Sequence, residues 1–292
     1  MILLTMALVA SLDSGVVRHI EVAPGEILHT TVTGSGEPVV LIPGIFGGAY
    51  GYRKITAPLV QRGYQCIVVE PLGYGRSSHP PKADYSFTAQ TKRVEQALEQ
   101  LGISDALFIA NSTGASIAMR LAVANPKMVR GILSISGGPA ESAATPGMKK
   151  AFRLGGFITK LAVNEGKLRH DVRKEIVKNS GDTSWVTPRV IREYTAGQAA
   201  DVDGSIDAFR SMSKSTESES LQNRLEAIRV PVRLLVGGID HPSGVKSDER
   251  ELLAEKIPDF ALDTVAGSGQ YVHEEQPQVV VEALGSLDKA SD

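Results

Sequence analysis

The chemistry of this chain is most legible at Ser112, in the segment Leu107-Phe108-Ile109-Ala110-Asn111-Ser112-Thr113-Gly114-Ala115-Ser116. The apolar run from Ala106 to Ala110 has the length of a buried strand, and Thr113 to Ala124 then carries apolar residues at helical spacing. A strand that turns this sharply into a helix forces the intervening serine into strained backbone geometry and needs small neighbours, which Ala110 and Gly114 supply. The helix start aims unpaired N–H groups and the positive end of its dipole at the hydroxyl, an arrangement that suits a developing oxyanion. A serine that merely caps a helix is the plainer alternative. The strand, the small residues and the helix together favour a nucleophile.

The elements that must position this serine follow from the hydrophobic pattern. Val16 to Val22 and Ile27 to Thr33 alternate and are β-branched, which predicts antiparallel strands. Short apolar runs at Val39 to Ile42, Cys66 to Val69, Gly131 to Ser136, Val232 to Val236 and Ala261 to Val265 predict buried strands, separated by helical patterns near Tyr52 to Arg62, Thr88 to Leu101, Ser247 to Glu255 and Gln278 to Leu284. Strands alternating with helices imply an α/β fold: a mostly parallel, eight-stranded sheet covered on both faces. Ligands bind such sheets at the carboxyl ends of the strands. Between Gly138 and Arg229 the strand rhythm stops, and helical patterns appear around Met148 to Leu161, Lys167 to Lys178, Thr187 to Ala199 and Ile206 to Ser213.

At Ala110 to Gly114 the chain resembles the α/β-hydrolase family, whose turn usually reads Gly-x-Ser-x-Gly; here Ala110 replaces the first glycine. The resemblance runs from about Val39 to about Leu287, the variable middle excepted. It implies a core of residues 1–137 and 230–292 and a helical cap of residues 138–229 that sets substrate choice. In Pro43-Gly44-Ile45-Phe46-Gly47-Gly48 it implies that the backbone N–H of Ile45, with that of Thr113, forms the oxyanion hole, and that Phe46 lines the acyl pocket. The loop Glu70-Pro71-Leu72-Gly73-Tyr74-Gly75-Arg76-Ser77-Ser78 resembles a fold signature of the family with a structural role, Arg76 and Ser77 satisfying loop carbonyls. No Lys-Ser/Thr pair follows its glycines, which argues against a phosphate cradle.

The same resemblance assigns Asp240, in Gly237-Gly238-Ile239-Asp240, to the acid that orients a catalytic histidine, with Glu141 as the fallback. The histidine's own place, seven residues before Pro277 and five before Glu275, is held by Gln270. His273 lies three residues further on and His241 beside the acid, offsets that disfavour both as the base. A glutamine amide can hold hydrogen bonds to both Asp240 and Ser112 but cannot accept a proton near neutral pH. The pocket is therefore expected to bind and hardly turn over, since general-base catalysis contributes about 10²–10⁴-fold. Two histories account for Gln270, a deliberate replacement made to trap a substrate or a natural turn to another task; the intact Glu275 and Pro277 favour the first.

The leading expectation is a serine hydrolase acting on a carboxylic ester, thioester or lactone through an acyl-serine, with Asn111, Trp185 and Tyr271 beside Phe46 as substrate-binding residues. Carbon–carbon bond hydrolysis, a ligand-binding protein on the same scaffold, and a lyase or cyclase are the alternatives. Composition bounds the rest. With 292 residues, 42% hydrophobic and 22% charged, the chain can bury one large core. A net charge of -2 gives no pull toward nucleic acid or an anionic membrane. The partner is a small molecule. Cys66, the single cysteine, allows no internal disulfide, and the six histidines show no metal-ligand spacing. No cofactor and no metal are expected. The apolar Met1 to Ala10 is too short to span a bilayer and lacks the basic start of a secretory signal. A first strand or a clipped leader both fit it, and a soluble, cytoplasmic protein is the favoured expectation, with secretion of a clipped precursor as the alternative. The basic run in the cap's first part, Lys149 to Lys174, reads as a solvated helix face, with an anionic substrate or acyl-carrier partner as the minor reading. Trp185, Phe152, Phe157 and Tyr194 are candidates for the cap's apolar floor.

Overall fold

The computed structural model describes residues 15–143 and 164–291. The apolar start at Met1 to Ala10, the helix expected over Met148 to Leu161, and Phe152 and Phe157 lie outside the described residues.

Eight strands form one sheet in the order β1 (Val16–Ala23), β2 (Glu26–Thr33), β4 (Tyr64–Val69), β3 (Glu37–Ile42), β5 (Ala106–Asn111), β6 (Val129–Ile135), β7 (Val232–Gly237), β8 (Phe260–Val265). β2 pairs antiparallel with both β1 and β4, and every other pairing is parallel. The central strands are apolar throughout because both of their faces are covered. In β3, Val39 and Leu41 join one buried cluster while Val40 and Ile42 join the other; in β5, Leu107 and Ile109 alternate with Phe108 and Ala110 in the same way.

Helices α1 (Arg53–Gln61) and α10 (Pro277–Ser291) cover one face with Ile55, Leu59, Val280, Val281 and Leu284. Helices α2 (Phe87–Gln100) and α3 (Thr113–Ala124) cover the other with Val94, Leu98, Ile117 and Leu121, joined by Leu253 of α8 (Ser247–Lys256). Burying each such side chain stabilises the fold by roughly 1.5–3 kcal/mol. Cys66 lies fully inside, and burial pushes its thiol up to about 12.

Between β6 and β7 the described chain is helical: α4 (Glu165–Lys178), α5 (Pro188–Tyr194), α6 (Ala196–Ala200) and α7 (Val202–Lys214). The continuous pattern expected from Thr187 to Ala199 is broken at Thr195, whose hydroxyl donates to the Ile191 carbonyl at 2.7 Å. Helix α4 is mostly exposed, and Lys167 and Arg169 pair with Asp171 and Glu165 on the same helix. That is the solvated face its charge pattern predicts.

The connections from β3 and β5 diverge to opposite sides of the sheet. The crevice between their carboxyl ends is the switch point where doubly wound sheets bind ligands. Close approach there depends on Gly114, where an added Cβ would sit 2.4 Å from the carbonyl oxygen of Ile42. Gly114→Ala is expected to lower stability in urea denaturation by about 1–3 kcal/mol, the usual cost of overpacking. Gly166→Ala on exposed α4, where the nearest atom to the new methyl is 3.4 Å away, should change it by no more than about 1 kcal/mol.

Candidate active site

Ser112 joins β5 to α3 with φ 50° and ψ -120°, one of two described non-glycine residues in the left-handed region. Its N–H donates to the Ile135 carbonyl at 2.9 Å, and the same carbonyl accepts from Asn111 Nδ2 at 3.0 Å. The turn is thereby tied to the end of β6. No capping hydrogen bond occupies the Ser112 side chain. The N–H groups of Ile45 and Thr113 donate to no protein acceptor among the described residues, which leaves both for an oxyanion. Gly44 brings the first of these loops close: a Cβ there would lie 3.1 Å from Ser112 Cβ. Tyr74 donates from its hydroxyl to Thr113 Oγ1 at 3.3 Å.

A buried carboxylate holds the loop after β3. Glu70, fully buried, accepts the Ala49 N–H at 2.8 Å through Oε1 and the Arg76 N–H through Oε2. Burial raises its pKa, and the two N–H donors act against the rise. Ser77 Oγ donates to the Glu70 carbonyl at 2.6 Å, as the loop's composition predicts. The Arg76 guanidinium reaches Glu193 of α5 rather than a loop carbonyl.

Ser112 opens into a cavity of about 260 Å³ whose walls include Ile45, Phe46, Asn111, Gln270, Tyr271 and His273. Phe46 packs edge-on to Phe209 of α7, with ring centroids 5.7 Å apart. Trp185, expected at the substrate, does not line the cavity. It packs behind Tyr271 and Tyr194 at 5.3 and 5.9 Å, inside the cluster formed by α4 and α5.

Gln270 is 3% exposed. Its N–H donates to the Asn179 carbonyl at 2.7 Å and its Nε2 to the Ser136 carbonyl at 3.3 Å, while Oε1 is buried with no partner. The expected bridge from the amide to Asp240 and Ser112 is not formed. The reason lies in the backbone. Beyond β7, Gly238 donates to Val265 O at 2.8 Å and Ile239 to Ser268 O at 2.9 Å. The chain thus keeps following the β8 loop and releases Asp240 on the outer side, where it is exposed in a separate depression with His241 and Arg250. His241 faces that depression, its pKa lowered by burial. Glu141 accepts from Arg120 at 2.7 Å and Ser220 at 2.9 Å, a structural pairing outside the cavity.

His273 stands in the first turn of α9 (Val272–Glu275), 4% exposed and 5.3 Å from the Tyr52 ring. Burial, followed by the charges of Arg53 and Lys54, lowers its pKa to about 3, so the ring is neutral. No hydrogen bond joins it to Ser112 among the described residues.

Two adjacent acids, of which the sequence singles out only Glu275, divide the labour around it. Glu274 is buried and takes Arg53, Lys54 at 3.4 Å and the Tyr194 hydroxyl at 2.9 Å, joining α9 to α1 and α5. Glu275 accepts backbone N–H groups of Gly181 at 2.8 Å, Asp182 at 2.7 Å, Gly269 at 3.1 Å and Tyr271 at 3.3 Å. It fastens the Gln270 loop to the end of α4. Asn179 completes that joint, its Oδ1 accepting from Ser243 N at 3.1 Å. No sequence motif announces Asn179; its role comes from the contact alone.

A sequence model of the α/β hydrolase fold matches residues 37–277. The chain belongs to the α/β-hydrolase fold family. The sn-1-specific diacylglycerol lipase ABHD11 of Mus musculus is 24% identical over 258 residues, covering 85% of this chain and 80% of the relative. A 2-hydroxy-6-oxononadienedioate/2-hydroxy-6-oxononatrienedioate hydrolase of a Pseudomonas species is 30% identical over 144 residues, covering 47% of this chain and 50% of the relative. Among solved structures, wild-type Cfl2 from Burkholderia cenocepacia superposes with a TM-score of 0.74 at 23% identity, covering 92% of this chain and 94% of that one. This kinship puts the chain among the hydrolases as a class. No helix among the described residues is long and apolar enough to cross a membrane.

The hydrolase folds with His273 neutral down to about 3, whereas an unfolded chain protonates it near 6.5. Its contribution to stability is therefore complete above about pH 6.5 and is lost as the pH falls toward 3. His29, lowered by burial to about 4, acts in the same direction. Urea titrations of His273→Phe between pH 7 and 4 should show a shallower loss than the parent, by up to about 1.4 kcal/mol per pH unit, with the share of His29 retained.

Proposed function

We propose that the hydrolase acts on a small carboxylic ester, thioester or lactone. Ser112 attacks the carbonyl, the N–H groups of Ile45 and Thr113 receive the oxyanion, and turnover is slow because residue 270 accepts no proton. The observation that carries this reading is the strained turn at Ser112 in the wall of the cavity, with its hydroxyl uncommitted and two free N–H donors from adjoining loops. The cavity's volume of about 260 Å³ suits a compact acyl group. Phe46 and Tyr271 supply its apolar contact, and the helices between β6 and β7 act as the cap that selects it.

The lipase relative supports ester chemistry, and the Pseudomonas relative, a dienedioate hydrolase by name, is the reason to keep carbon–carbon bond hydrolysis as a second reading. Against the second stands the described lining of the cavity, which includes no lysine or arginine to hold a dicarboxylate. The position of Asp240 bears on the history of Gln270: a lone replacement of histidine has no reason to leave the acid exposed, which favours a natural change over a deliberate one.

Gln270→His is expected to raise kcat/KM on p-nitrophenyl butyrate by about 10²–10⁴-fold, the usual worth of a general base. Ser112→Ala in that background should abolish the gain. Intact-mass measurement should detect an acyl adduct on the parent after long incubation with the ester and none on Ser112→Ala. Equal slow rates in all three proteins would remove Ser112 from the chemistry.

A further inference from the structure

We propose that the side chain at position 270 is oriented by the main-chain carbonyl of Ser136, and that Asp240 takes no part in the relay. The proposal rests on the reading of Ser112 as the nucleophile and assigns the group that stands behind residue 270. Ser136 is a positioning residue, acting through its backbone.

The geometry points there from three sides. Gln270 is buried, and its one side-chain hydrogen bond among the described residues runs from Nε2 to the Ser136 carbonyl at 3.3 Å. That carbonyl is not free to move. Ser136 is the second described non-glycine residue at positive φ, 48°, and its N–H is held by the Leu235 carbonyl at 2.8 Å. The next residue, Gly137, lies so close to the elbow that a Cβ there would meet the Ser112 carbonyl oxygen at 2.4 Å, and its own carbonyl accepts from Ser134 Oγ at 2.7 Å. With Ser112 N–H bound to Ile135, the two strained turns at 112 and 136 form one rigid block. The acceptor for residue 270 is thus built into the same backbone that strains the nucleophile. Asp240, by contrast, is exposed beyond Gly238 and Ile239, in a depression that Ser136 also lines and Gln270 does not.

A carbonyl accepts an amide N–H and an imidazole N–H equally, but it carries no charge to stabilise an imidazolium. A histidine introduced at 270 is therefore expected to titrate without help from Asp240. The titratable groups facing the cavity are Glu175 of α4, His273 of α9, and Tyr52, Tyr194 and Tyr271; Asp240 and His241 line the other depression, with Ser136.

The test uses the full chain carrying Gln270→His, alone and with Asp240→Asn, an exposed position whose change leaves the core intact. Ester hydrolysis and the pH profile of kcat/KM are measured on both, and the introduced imidazole is titrated by NMR. The expected result is a kcat within about twofold between the two proteins and an imidazole pKa shifted by less than about half a unit, since a removed ion-pair partner shifts a pKa by about 1–3 units. Removing the carboxylate from a working triad costs about 10⁴-fold in kcat, so a loss above about tenfold, or a pKa fall of a unit or more, overturns the assignment. If Gln270→His gains no esterase activity, it is the nucleophile reading that fails. The imidazole titration still decides between Ser136 and Asp240, because it needs no turnover.

Discussion

The backbone turn at Ser112 is the constraint from which the site follows. A serine at φ 50° is unfavourable in isolation, and here the surrounding backbone over-determines it: Gly114 is pressed against Ile42 of β3, Gly137 against Ser112 itself, and the Ser112 N–H is bound at the end of β6. Three strands meet at that point, and their parallel pairing fixes the distances between their carboxyl ends. The hydroxyl is exposed to the cavity because the chain has no other way to pass from β5 into α3. What the turn costs locally is offset by the two apolar clusters that clamp the sheet from either face.

Around this rigid centre carboxylates tie the loops together, in addition to the apolar packing of Leu72, Tyr74 and Val272. Glu70 joins the loop after β3 to the loop after β4, Glu274 joins α9 to α1 and α5, and Glu275 joins the Gln270 loop to the end of α4. In each case a carboxylate gathers donors from irregular backbone or from the partly exposed Arg53 and Lys54, groups that are costly to leave unpaired in a dry interior. The consequence for function is that the helices over the cavity are tied to the same loop that carries residue 270.

The site's chemistry is then a matter of which groups carry charge. His273 is neutral, Gln270 is an amide, and the acceptor behind it is a carbonyl. The cavity offers the Ser112 hydroxyl and the unpaired N–H groups of Ile45 and Thr113, and the residue at 270 is an amide that takes no proton near neutral pH. Under the proposed function, that combination would separate recognition of a carbonyl compound from its cleavage, which makes position 270 the informative one to substitute.

Much of this was readable from residue types in order. The alternation of short apolar runs with helical spacing determined the strands, the parallel sheet and the elbow at Ser112, because periodicity and steric need for small residues are local properties. That Gln270 holds the histidine's place is what the family resemblance implies, through the spacing to Glu275 and Pro277. Tertiary structure alone decided what that amide touches. Asp240 keeps its place along the chain yet loses its place in space, since hydrogen bonds from Gly238 and Ile239 to the β8 loop carry it outward. Trp185 is set behind Tyr271 rather than at the cavity for the same kind of reason. A sequence records the order of groups; which of two neighbouring acids is buried, and which carbonyl stands behind a side chain, depend on backbone contacts between segments far apart in that order.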